Sequence, residues 1–427
     1  MNRLKNFFLA QFFLLSIITN LFGENDYRLE DYIYTDYIKT VQLYNVVSKL
    51  SFPIIHLGDK NSLMLAFDDM SENNNLNYRY TVIHCNSDWT VSNLGELEYL
   101  DSYTDDKIVN IQSSFNTRVY YNHYTVSIPN ENLNFVKSGN YVLRVFDSDN
   151  KTIITKRFCV VETIVNITGN TTLGTMVGEI DTYQEVDFLV NTKNIFIRNP
   201  FTEIKATVLQ NFRWDNAIQN IPPQSSTAES LNFDYMGKIT FPAGKEFRWF
   251  DLQNISNPGY QVRYVKPNDD GYDITLYTEK PRYESPYFQD VDINGKFLIR
   301  QHNPYVEQLE DDIRSDYANV LFSLKVDPEF EKSDIYIVGG LSNWQMLPEN
   351  KLTYNSKSQL YEADILLKQG LYNYYYAVAE NGKITNKLEG NWYETENEYT
   401  VFIYYRPVGA RYDRIIGYGT INSKKRN

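Results

Sequence analysis

The chain has 427 residues, with 54 acidic against 41 basic side chains, a net charge of −13, and 36 Tyr, 24 Phe and 5 Trp within a 42% hydrophobic composition. That much apolar surface offsets chain entropy and argues against disorder, while the length suggests two or three domains. The acidic balance disfavours nucleic acid and anionic lipid heads as partners, and the lack of a glycine repeat or a sustained heptad excludes collagen and coiled-coil readings.

In chain order, Arg3 and Lys5 precede an apolar run over residues 7–21, and Glu24 and Asp26 open a polar sequence. This predicts a secretory signal peptide over residues 1–23 and an exported protein. Leu21-Phe22-Gly23 is a poor small-x-small cleavage pattern, so a retained membrane anchor stays open as the alternative. Removing residues 1–23 deletes Arg3, Lys5 and no acid, which takes the net charge from −13 to −15. Beyond them no stretch approaches the ~18 apolar residues that span a bilayer, so the mature chain is expected to be soluble and at most peripheral to a membrane. Cys85 and Cys159 could pair in an exported protein, but two cysteines do not make a disulfide scaffold, and two buried free thiols is the favoured reading.

Period-two alternation then dominates. Tyr141-Val142-Leu143-Arg144-Val145-Phe146 runs into Asp147-Ser148-Asp149-Asn150, and Arg157-Phe158-Cys159-Val160-Val161 lies beyond, as in a hairpin. Residues 204–208 place their apolar side chains on one face. Residues 372–378 alternate up to Asn381-Gly382, a strong hairpin turn signal. Short strands with frequent turns and little helical periodicity predict an all-β chain of three tandem β-sandwich domains, immunoglobulin-like or early-set-like. Polar stretches at 166–172 and 307–316 place the domains at 24–164, 165–308 and 309–427.

Residues able to carry chemistry are few. His56, His84, His123 and His302 show no metal-ligand spacing, and GxSxG, Walker and GxGxxG motifs are absent, so no catalytic residue, metal or cofactor is expected. Asp290-Val291-Asp292-Ile293-Asn294-Gly295 matches the front half of a calcium loop. Gln301 at its twelfth position cannot give the bidentate carboxylate, which favours a plain hairpin turn. In the last domain, residues 335–344 followed by 370–376 resemble early-set modules that bind glycogen-like glycans. Trp344 and Tyr374 are the candidate sugar platforms there, and core packing of the same rings is the favoured alternative.

Three groups of stretches, taken together, resemble the type IX secretion system plug protein family. The first contains Tyr80-Thr81-Val82-Ile83-His84-Cys85-Asn86-Ser87-Asp88-Trp89, Tyr121-Asn122-His123-Tyr124 and Ser138-Gly139-Asn140-Tyr141. The second contains Asn199-Pro200-Phe201, Gln210-Asn211-Phe212-Arg213-Trp214-Asp215, Glu246-Phe247-Arg248 and Asp292-Ile293-Asn294-Gly295. The third contains Glu389-Gly390-Asn391-Trp392-Tyr393-Glu394, Tyr404-Tyr405-Arg406 and Arg411-Tyr412-Asp413.

The resemblance covers nearly the whole mature chain in order. It implies a non-enzymatic periplasmic protein of Bacteroidetes that sits against the giant outer-membrane barrel translocon and closes its inner mouth when cargo is absent. A secreted glycan-binding protein is the alternative. An acidic, Tyr-rich surface would suit a reversible contact with the barrel. The candidate partner-binding residues are Trp89, Asp88, Arg411, Tyr412 and Asp413. Three of them have a structural counterpart: Trp89 as a loop anchor with a His84-to-carboxylate bond setting the turn, and Arg411 and Asp413 as members of internal ion pairs, the favoured reading of the two.

Overall fold

The computed structural model describes residues 27–72, 77–269, 271–302 and 311–424. The signal-peptide region and part of the expected 307–316 boundary lie outside these. Strands dominate, and among the described residues six sheets pair face to face around three main hydrophobic cores, which establishes the all-β class and its sandwich architecture. Among the described residues no helix is long and apolar enough to cross a membrane.

The first core lies between a sheet ordered Tyr32–Ile33, Thr152–Val161, Gly139–Phe146, Arg79–Cys85, Asp105–Lys107 and a sheet ordered Ile38–Asn45, Leu63–Asp69, Asn122–Ile128, Asn110–Ser113. The hairpin read from the sequence is present: Gly139–Phe146 and Thr152–Val161 pair antiparallel, with Phe158 opposite Tyr141. Both strands are buried over nearly their whole length, because one face packs on the sandwich core and the other on the neighbouring core.

The third core lies between the sheet built on Gly370–Glu380 and the sheet ordered Val262–Asn268, Gly271–Leu276, Tyr317–Leu324, Leu360–Lys368, Thr353–Asn355. Asn381 and Gly382 both have positive φ and turn Gly370–Glu380 back onto Lys383–Thr385, as the Asn-Gly pair implies. Tyr372, Tyr374 and Tyr376 all point into this core.

The middle core is discontinuous in sequence. One of its sheets runs Asn166–Leu173, Tyr183–Asn191, Ser230–Phe233, Ser225–Ser226; the other runs Ile218–Ile221, Ile204–Gln210, Glu398–Tyr405, Arg414–Asn422. Ile204 stands opposite Tyr405 and Gln210 opposite Tyr399, so the last two strands complete the middle sandwich. The third core draws on residues from Phe250 to Leu388, on both sides of position 309. A tandem cut at 309 therefore divides two cores. The polar stretch 166–172 is itself the edge strand Asn166–Leu173, and Ile204–Gln210 is buried on both faces.

The tyrosines are not mainly a surface property, against the sequence expectation. Tyr78, Tyr80, Tyr124, Tyr141, Tyr372 and Tyr374 are among the largest fully buried side chains. Their rings fill the cores while their hydroxyls find partners: Tyr141 donates to the Lys137 carbonyl at 2.8 Å, and Tyr372 to the Lys368 carbonyl at 2.6 Å.

Candidate functional site

The residues expected to bind a partner are brought together by the fold, although 326 positions separate Ser87 from Asp413. Asp413 is buried, accepts from the Ser87 amide at 2.8 Å and pairs with Arg406 at 3.2 Å. Arg406 also donates to the Asn86 side chain at 2.6 Å. Tyr412 packs its ring edge-on to His84, and Arg411 pairs with Glu98 across the same seam. Arg411 and Asp413 thus serve internal ion pairs: the Arg411–Glu98 pair, with the Ser87–Asp413 hydrogen bond, fastens the loop after Glu398–Tyr405 onto the first sandwich, while the Asp413–Arg406 pair closes that loop on itself.

Trp89 is 5% exposed, with φ at +65°, and packs edge-on to Trp214 at 4.8 Å. It presents no open face for a partner. His84 does not set the turn through a carboxylate: its Nε2 lies 3.2 Å from the Ser138 carbonyl, and burial drives its pKa down to about 4. Asp88 closes the turn by accepting from the Thr90 amide at 3.0 Å and its hydroxyl at 2.6 Å. Asp88 and Arg411 keep their side chains exposed.

The glycan platforms fare differently. Tyr374 is fully buried and donates to Glu279 at 2.5 Å, so no sugar can stack on it. Trp344 is half-buried against Phe247 and Tyr375, with the Arg213 guanidinium 4.4 Å from its ring centre. The calcium-like segment is a turn: Asp292 accepts from the amides of Phe247 at 2.6 Å and Asn294 at 2.9 Å, and Asn294 and Gly295 take positive φ. It does not form a hairpin, since Phe297–Ile299 pairs with Gly370–Glu380. Cys85 and Cys159 are buried free thiols, and burial pushes the first up to about 12.

Sequence reasoning missed a cleft of about 340 Å³ where the three cores meet. The first sandwich contributes Asp31, Phe52, Lys156 and Arg157; the middle one Phe212 and Trp214; the third Lys296, Asn343 and Trp344. Phe52 stacks on Phe212 at 5.1 Å and tilts against Trp214 at 6.3 Å. The Lys296 amine lies 3.8 Å from the Phe212 ring centre, and Lys156 bridges Asp31 at 2.6 Å and Asn343 at 2.9 Å. Asn211 and Phe212 have φ of +52° and +61°, and Asn343 and Trp344 +49° and +61°. Left-handed backbone is costly for bulky side chains, and here it carries one aromatic into the cleft from each of two cores. Asn-aromatic pairs followed by a tight turn are the one local signal that could have pointed to it.

The first domain of the type 9 secretion system plug protein matches residues 38–162. A crystal structure of a hypothetical protein from Parabacteroides merdae is similar to this chain at 33% identity and a TM-score of 0.87, covering 93% of this chain and 100% of that one. The BSP domain of a biofilm-associated protein aligns at 9% identity and a TM-score of 0.19 over 94% of this chain and 61% of that one, too little to bear an argument. No curated protein matches.

Proposed function

The chain belongs to the type IX secretion system plug family, and from that premise we propose that it is a periplasmic stopper, docked on the giant outer-membrane barrel of that system and closing its inner mouth when cargo is absent. The plug-domain match over residues 38–162 carries this reading. Mechanical considerations support it. A stopper has to hold its shape against the contents of the pore, and buried polar links join the cores here. Lys368 of the third core pairs with Asp68 of the first at 2.5 Å, and Tyr404 of the middle core donates to Asn140 of the first at 2.8 Å. A body of about 400 residues has a radius of gyration near ~22 Å, and three sandwiches spread wider, which suits a broad opening.

A reversible seal calls for a contact with a polar rim rather than a greasy obligate face. We assign Asp88 and Arg411, which stay open at the junction of the first and middle sandwiches, to that rim. The test is affinity isolation of the barrel from cells. The chain should be recovered with it, more so when cargo flux is blocked, and its deletion should make the outer membrane permeable to bulky antibiotics. Asp88→Lys with Arg411→Glu should lower recovery without unfolding the chain. Absence from the isolate together with unchanged permeability rules the reading out.

A further inference from the structure

The cleft between the cores has no part in that docking scheme, and its charges are unevenly satisfied. Each acid on its walls is already held: Asp31 by Lys156 and the Arg157 amide, Asp215 by Arg213 at 2.6 Å, Glu30 by Arg28 at 3.2 Å. Lys49 is likewise paired with Asp312 at 2.7 Å. Arg157 is occupied by the Leu29 carbonyl at 2.7 Å and lies over the Trp89 ring. Lys296 meets only the Leu50 carbonyl at 2.5 Å and the Phe212 ring, with no carboxylate partner among the described residues. Burial draws its amine down to about 8, against the opposing pull of the Glu398 and Glu396 carboxylates.

A cation with no carboxylate in ion-pair contact among the described residues, under a wall of aromatic rings in a cleft within the size range of small-ligand sites, is an arrangement that an anion with a flat apolar body completes. The strained backbone at Phe212 and Trp344 fixes both rings before any ligand arrives, which lowers the entropy cost of binding. We propose that the cleft binds a small aromatic carboxylate, with Lys296 as its counter-ion and Phe212, Trp214 and Trp344 as its apolar walls. Because those walls come from different cores, the ligand tightens the junction between them. The inference stands apart from the docking reading: either can fail without the other.

The test is calorimetric titration of the full chain with 2-naphthoate beside its neutral counterpart 2-naphthamide, with melting temperature followed in parallel. The acid should bind about tenfold or more tighter than the amide and should raise the melting temperature as its concentration rises. Lys296→Met, which keeps the apolar stem, should remove the preference for the acid, whereas Lys424→Met, outside the cleft, should leave it intact. The acid-amide comparison uses the unsubstituted chain, so it holds even if Lys296→Met does not fold. Equal affinity for acid and amide, or no binding of 2-naphthoate up to its solubility limit, overturns the proposal.

Discussion

Buried charge in this molecule is supported by geometry at single residues, and Glu389 is the clearest case. Its carboxylate is 2% exposed and accepts from Arg248 at 2.8 Å, Arg282 at 2.6 Å and the Tyr376 amide at 3.0 Å. Burial alone would raise its pKa, but the two guanidinium groups outweigh that and hold it at about 2, against an ordinary 4.5. A depressed folded-state pKa contributes stability that is fully present above pH 4.5 and is lost as pH falls toward 2. The contribution is about 3 kcal/mol at neutral pH. Denaturant unfolding followed from pH 5 to pH 2 should therefore show a steep loss that Glu389→Gln flattens. The same variant is less stable at pH 7, because Arg248 and Arg282 lose their anion. A pH profile parallel to that of the unsubstituted chain would contradict the assignment.

The turn before the strand Phe297–Ile299 shows how much depends on one element. Gly295 has φ at +75°, and an added Cβ would collide with the rings of Trp344 and Phe247. Gly295→Ala combines left-handed strain with overpacking and should cost about 2 kcal/mol or more, read as a lower denaturant midpoint with an unchanged slope. Such elements differ in how legible they are in the sequence. The hairpins at 139–161 and 370–385 can be read directly, since apolar alternation and turn residues act over a few positions. Asn166–Leu173 reads as a boundary because an edge strand exposes polar side chains while its backbone makes the pairing. Tyr374 offers the same ambiguity, since an alternating tyrosine suits a core or a sugar platform equally, and only its burial decides. Beyond the two Asn-aromatic pairs at 211–212 and 343–344, the cleft leaves no signal in the sequence: its walls run from Glu30 to Gln345, and tertiary packing assembles them.

At the scale of the whole molecule, chain order and core order diverge. The chain leaves the middle sandwich after Ala243, builds the third, and returns through a neck where Gly244 and Asn391 are hydrogen-bonded at 2.9 Å and the Trp392 amide donates to the Gly244 carbonyl at 2.9 Å. Domain ends that lie side by side mark an insertion able to fold independently. A cut at 309 gives neither core its full set of strands. The fragment 309–427 would lack Arg248–Asp251 and Gly271–Leu276 from one core and Ile204–Gln210 from the other, leaving Val320, Val401 and Ile403 without facing partners. Circular dichroism on heating should accordingly show a cooperative transition for a fragment spanning 245–394 and none for 309–427. Cooperative melting of the latter would mean that Glu398–Tyr405 can form a core without the strand it pairs with here.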